Sequence, residues 1–257
     1  MRDPLSHFRL DGRTAVVTGA GRGMGRSVAL ALAAAGAQTW LVSRTRAELE
    51  EVASEIDYAG GTAHVAVCDV TDVRQVAQTF AGLPALDVLV NNAGMNIPEP
   101  FVEVSVEHLD RVMALNVRAM FLVAQAATRK MLEAKNRKER GGAIVNVTSQ
   151  MGHVGAERRT VYCMTKHAVE GMTKALAVEL APHNIRVNSV APTFIDTPMT
   201  APMFQSREFT DWVMQRIPMG RLGTLEEVAA AVLFAASPAA SLMTGTSLVI
   251  DGGWTAR

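Results

Sequence analysis

Residues 14–25 read Thr14-Ala15-Val16-Val17-Thr18-Gly19-Ala20-Gly21-Arg22-Gly23-Met24-Gly25, a short apolar run driving straight into a glycine turn, ahead of an alanine-rich stretch that ends at Gly36. Such an order predicts a strand, a tight turn and a helix N-terminus. The turn lets backbone N–H groups and the helix dipole receive a phosphate, with Gly19, Gly21 and Gly23 where side chains would block the approach. Arg22 and Met24 share that loop. The strict G-x-G-x-x-G spacing is not met, because Met24 stands where the last glycine would fall.

Outward from this unit the pattern repeats. Apolar runs at 38–43, 63–68, 87–90, 143–148, 185–190 and 247–250 read as strands, with helices from Ala47, from Asp72, over 105–134 and over the stretch that carries Tyr162 and Lys166. Strands alternating with helices at this spacing predict a doubly wound α/β fold with a parallel seven-stranded sheet. No linker or composition break divides residues 1–257, so a single domain is expected. Ligands of such sheets lie beyond the carboxyl ends of the strands. The glycine turn, Ser43 and Arg44, Asp69, Asn92 and Ser149 all fall at those ends.

Tyr162 and Lys166 are four apart, which places them on one helix face. Moving a phenol from a pKa of about 10 to about 7 needs roughly 4 kcal/mol, and one positive charge near 4 Å supplies about that much at an effective dielectric of about 20. Lys166 is therefore expected to lower the pKa of Tyr162, with Ser149 orienting an oxygen against the phenol. The trio suits reduction of a carbonyl or oxidation of an alcohol. After the second strand, where a fold that takes NAD usually carries an acid for the ribose, this chain has Ser43 and Arg44. With Arg22, these predict NADP(H) as the preferred cofactor; Ser43 also admits NAD(H).

The 25 basic and 25 acidic residues balance, so the chain shows no electrostatic footprint for nucleic acid. Cys68 and Cys163 follow neither metal nor redox spacing, and no metal is expected. The first dozen residues lack the apolar core of a signal peptide, and the longest apolar run, around 28–35, falls short of a membrane span. A soluble cytoplasmic protein is the expectation.

In combination these residues resemble the short-chain dehydrogenase/reductase family in its short single-domain form, over about 12–253. The likeness rests on Thr18-Gly19-x-x-x-Gly23-x-Gly25, Asn91-Asn92-Ala93-Gly94, Asn116, Ser149, Tyr162-x-x-x-Lys166, Asn188 and Asp251-Gly252-Gly253. The resemblance implies that Tyr162 is the acid/base, Lys166 lowers its pKa and holds the nicotinamide ribose, Ser149 steadies the substrate oxygen, and Asn116 holds a water in a proton relay. It also implies that Asp69 and Val70 border the adenine, that Asn92 and Ala93 line the ribose path, and that Pro192, Ile195 and Thr197 lie along the nicotinamide. One departure is Thr193, where the family usually has glycine after Pro192.

The same likeness makes 193–219 a lid over the substrate. Its Met199, Met203, Phe204, Phe209, Trp212 and Met214 either meet an apolar substrate or pack the lid onto the body. Gln150, Met151 and His153 are expected at the pocket, His153 as a hydrogen-bonded loop residue rather than a second base. The basic run 135–140 reads as a solvated loop. Small ketones or hydroxy compounds, sugars or sugar acids, 3-oxoacyl thioesters on acyl carrier protein, and terpenoid or steroid ketones all remain open. So does a non-catalytic dinucleotide-binding regulator, against which the full set of catalytic residues argues. Apolar surplus on 119–127 and 168–180 predicts a homotetramer, as in much of the family, with Met172 and Leu176 facing outward.

Overall fold

The computed structural model describes residues 4–196 and 204–256. Its strands are β1 (Thr14–Thr18), β2 (Gln38–Ser43), β3 (Thr62–Val67), β4 (Val88–Asn91), β5 (Gly142–Val147), β6 (Ile185–Pro192) and β7 (Ser247–Ile250). All pair in parallel, in the order β3-β2-β1-β4-β5-β6-β7. The chain reverses its direction across the sheet between β1 and β4. That reversal opens the crevice at which doubly wound sheets hold ligands.

The helices are α1 (Gly23–Ala34), α2 (Arg46–Tyr58), α3 (Val73–Ala81), α4 (Val106–Met113), α5 (Met120–Leu132), the short α6 (Arg137–Arg140), α7 (Thr160–Leu180), α8 (Arg207–Met214) and α9 (Leu225–Ala236). Successive strand residues face opposite sides of a sheet, and β1 shows the consequence. Val17 packs into one buried cluster with Leu32, Leu49 and Val232 of α1, α2 and α9. Val16 packs into another with Val76, Met131 and Ala177 of α3, α5 and α7. Both faces of the sheet are covered, so its central strands carry continuous apolar runs instead of alternating ones.

Three expectations are corrected. The helix expected over 105–134 is broken by a π-helical segment, Ala114–Ala119, between α4 and α5. The run 135–140 is no solvated loop: α6 lies in it, and Arg137 is buried, donating to the carbonyls of Leu86 and Met131 and to Asp87. Leu176 packs partly buried against the core, and Met172 is half-buried. The exposed large apolar side chains on α5 and α7 are Phe121, Leu132, Met164 and Val178. Thr197, Met199 and Met203 lie outside the described residues.

Candidate active site

The glycine turn after β1 closes by backbone geometry and by the end of β4. Gly19 has φ of +66°, and a Cβ on Gly25 would stand 2.1 Å from the Gly19 carbonyl oxygen, so the first turn of α1 packs directly onto the end of β1. Asn92 donates through Nδ2 to the Thr18 carbonyl at 2.9 Å, and the Thr18 hydroxyl accepts the N–H groups of Asn92 and Ala93 at 3.0 and 3.1 Å. Asn92 and Ala93 thus brace the turn. Ser43 accepts from the Thr45 N–H, and Arg44 and Arg22 are exposed beside the same opening. Asp69 is shaped by Thr71 and Gln75, with Val70 buried under it.

One acid here was not anticipated. A Cβ on Gly21 would meet Glu48 at 2.8 Å and the Ser43 hydroxyl at 3.4 Å, and the carboxylate of Glu48 lies 3.9 Å from Arg22. The place after β2 that looked free of negative charge is served by a carboxylate from the first turn of α2. Its signal in the sequence was only an acid in that first turn, where any helix favours one.

Ser149, Tyr162, Lys166 and Asn116 converge at the carboxyl end of β5. Ser149 is buried; its hydroxyl donates to Gln150 Oε1 at 2.7 Å and accepts from the Met151 N–H at 3.2 Å, and it is near enough to the Tyr162 phenol to lower its pKa. Lys166 Nζ lies 5.4 Å from the centroid of the Tyr162 ring and donates to the Val147 carbonyl at 3.0 Å. Asn116 sits in the π-helical segment, fully buried, pinned to both backbone groups of Met95 at 2.8 Å and donating to Thr165, whose hydroxyl returns to the Tyr162 carbonyl. A methyl on Gly94 would reach Asn116 Oδ1 at 3.3 Å and Lys166 Nζ at 3.8 Å. Residues far apart in sequence are thus gathered round one cleft.

The electrostatics differ from the expectation. Burial pushes the Tyr162 phenol up to about 12, against the smaller lowering influence of its bond to Ser149. Burial likewise pushes Lys166 down to about 8, with Glu170 partly restoring it. The lysine does not draw the phenol toward neutrality in the protein alone, because both groups suffer the same desolvation and the ammonium turns to Val147.

Gln150 is buried against Ser149, and Met151 is buried behind the loop. His153 is bonded to Ser247 at 3.0 Å and stands 3.4 Å from Glu170, the hydrogen-bonded role expected of it. Pro192 ends β6, and Ile195 is buried and bridged to Gly223. Thr193 avoids the left-handed region, so the family's glycine is not needed for the turn here; its hydroxyl is buried with no partner among the described residues. In the stretch 193–219, Phe194, Phe204, Phe209 and Trp212 contact one another and Trp254. The rings pack this stretch against the C-terminal turn.

A family model described as Enoyl-(Acyl carrier protein) reductase matches residues 19–255. The chain is 41% identical to L-xylulose reductase of Bos taurus over 249 residues, 97% of this chain and 99% of the relative. It is 38% identical to gluconate 5-dehydrogenase of Gluconobacter oxydans over 258 residues, 98% of this chain and 99% of that one. The chain belongs to the short-chain dehydrogenase/reductase family. Among solved structures, a gluconate 5-dehydrogenase from Burkholderia cenocepacia in complex with NADP and tartrate superposes with a TM-score of 0.93 at 33% identity, covering 99% of this chain and 100% of that one. This short-chain enzyme is therefore an oxidoreductase that interconverts a carbonyl and an alcohol of a small molecule, using a nicotinamide dinucleotide. Two features fit that cofactor: a glycine turn with room for backbone approach, and an orphaned buried hydroxyl at Thr193 beyond β6.

Proposed function

We propose that this enzyme is an NADP(H)-dependent reductase and dehydrogenase of polyhydroxy compounds, sugars or sugar acids, in which Tyr162 exchanges the proton with the substrate oxygen. The observation that carries the reading is the gathering of Ser149, Tyr162, Lys166 and Asn116 beyond the carboxyl end of β5, with Lys166 Nζ 5.4 Å from the centre of the Tyr162 ring and Asn116 linked through Thr165 to the Tyr162 carbonyl. Tyr162 donates to a carbonyl oxygen or takes the proton of an alcohol, Ser149 donates to the same oxygen, and Asn116 and Lys166 hold the solvent side of the proton path. Gly19, Gly21, Arg22, Gly23 and Met24 receive the pyrophosphate, Ser43, Arg44 and Arg22 the 2′-phosphate, Asp69 and Val70 the adenine. Asn92 and Ala93 line the ribose path, and Pro192 and Ile195 border the nicotinamide. The cofactor, when bound, supplies or accepts the hydride at the substrate carbon.

Relatives named for L-xylulose and gluconate support a polyhydroxy substrate. So does a lid whose aromatic rings are used on one another. The exposed Phe121, Met164 and Val178 on α5 and α7 support burial of those helices against copies of the chain in a homotetramer, through closed symmetry. Among the described residues no helix is long and apolar enough to cross a membrane, and the two cysteines are free, which supports placement in the cytoplasm.

Tyr162→Phe tests the reading. Turnover of a ketose and polyol panel should fall about 10²- to 10⁴-fold, while NADPH binding, followed by its fluorescence, is kept. Turnover within a few-fold of the parent would refute the assigned role. Adding a 3-oxoacyl thioester to the panel tests the acyl-carrier alternative.

A further inference from the structure

Arg159 is the N-cap of α7, three residues before Tyr162, and it is only 8% exposed. Its guanidinium carries five N–H donors, yet among the described residues its hydrogen bonding is a single contact from Nη1 to the Arg158 carbonyl at 3.2 Å. That carbonyl is already held by the Glu99 N–H, on a residue with φ of +57°. Among the described residues no carboxylate comes within ion-pair distance of Arg159, and its charge acts on the Tyr162 phenol.

Two other arginines of this fold, the buried Arg137 and the half-buried Arg186, show what a structural guanidinium looks like. Arg186 donates to the carbonyls of Ala235, Ala236 and Ser237 at the end of α9. Arg137 donates to Leu86, Met131, Gly141 and Asp87. Arg186 has three of its five donors taken in this way, and Arg137 four. Arg159 is buried as Arg137 is, three residues before the reacting phenol, and most of its donors have no partner among the described residues. A cation drawn partly out of water without a counter-ion is costly unless something supplies the charge; the unpaired Nε and Nη2 of Arg159 are not fully enclosed and so remain open to an incoming anion, while burial and the neighbouring Arg158 both push the guanidinium's pKa down.

We propose that Arg159 is a specificity-determining residue that pairs with a carboxylate of the substrate, so that the enzyme acts on hydroxy and keto acids in preference to neutral polyols and ketoses. This rests on the reading of the cleft as a carbonyl/alcohol site. When the reacting oxygen lies on Tyr162, the planar fork of Arg159 takes the acid group of the same molecule in a bidentate, charge-assisted contact.

The test uses the NADP⁺-loaded full chain with tartrate as a non-sugar hydroxy acid probe in calorimetry, and gluconate against xylitol in turnover. Arg159→Gln should weaken tartrate about ten- to hundredfold, with Arg159→Lys recovering part of the loss, and the gluconate-to-xylitol ratio of kcat/KM should fall by a similar factor. Melting temperature and NADPH binding control for folding. Equal tartrate affinity in parent and Arg159→Gln, or equal losses for acid and polyol, overturns the proposal while leaving the oxidoreductase reading in place. Arg159-dependent tartrate binding with no turnover of any carbonyl or alcohol does the reverse, keeping the anion site and sinking the reading on which it was built.

Discussion

Lys166 commits its ammonium to the Val147 carbonyl at 3.0 Å and holds it 5.4 Å from the centre of the Tyr162 ring. The pair thus meets a substrate with the phenol protonated, its pKa pushed up to about 12 by burial. The sign of the pH dependence follows. Carbonyl reduction takes a proton from Tyr162 and should run nearly flat through neutral pH. Alcohol oxidation needs the proton gone and should rise as pH increases from about 7 to about 9. Profiles of kcat/KM in both directions check this, and an oxidation rate that falls over that range contradicts it.

Glu170 follows Lys166 by one helical turn and gathers the hydroxyls of Thr148 at 2.5 Å, Ser189 at 2.7 Å and Ser247 at 3.2 Å around a buried carboxylate. It is the charge that raises Lys166 against the lowering caused by burial. Glu170→Gln replaces one acceptor oxygen by a donor and should destabilise the fold by about 1–3 kcal/mol, read by urea unfolding. It should also move the loss of the Lys166 ammonium to lower pH, so the alkaline limb of the reduction profile shifts downward. An unchanged limb would limit Glu170 to a structural part.

Arg22 has two claimants, Glu48 at 3.9 Å and the expected 2′-phosphate. Removing the carboxylate charge in Glu48→Gln should release Arg22 and strengthen the preference for NADPH over NADH, by about threefold to tenfold for one exposed pairing. Arg44→Asp should invert the preference by placing an acid where the phosphate would lie. Steady-state KM values for both cofactors decide it; a Glu48→Gln variant that gains on NADH instead reverses the assignment.

Strands β1, β2 and β7 were legible to the residue because short apolar runs end at glycine or polar residues and nothing else competes for them. Ser149, Tyr162 and Lys166 were legible because a strand end and a single helix carry them. What the sequence concealed were charges whose partners are remote along the chain. Asp87 and Arg137 are 50 positions apart, and Thr148 and Glu170 are 22 apart. The π-helical segment at Asn116 was hidden for another reason, since apolar spacing continues through one extra residue without a break. Arg159 follows Glu157 and Arg158 ahead of α7, and nothing in that charged run signals that it is buried.

Asp87 is the clearest case of such a remote cluster, and it carries the last prediction. Its side chain is 1% exposed, immediately before β4, and accepts from Arg137 at 3.2 Å, Arg140 at 2.6 Å, Arg13 at 3.5 Å and the Thr14 N–H at 3.0 Å. Burial alone would raise its pKa, but the bonds from Arg140 and Thr14 and the charges of Arg140 and Arg13 outweigh it and hold the carboxylate below its usual range. A depressed folded pKa gives stability that is present above the unfolded value of about 3.9 and is lost as pH falls through the folded one. Asp87→Asn leaves the guanidinium of Arg137 buried without its counter-charge and should cost about 3–5 kcal/mol at neutral pH. It should also flatten the acid limb of stability against pH. Urea unfolding of both chains at neutral pH and near pH 4 measures the two effects, and parallel losses in parent and variant on acidification would remove Asp87 from the account of acid sensitivity.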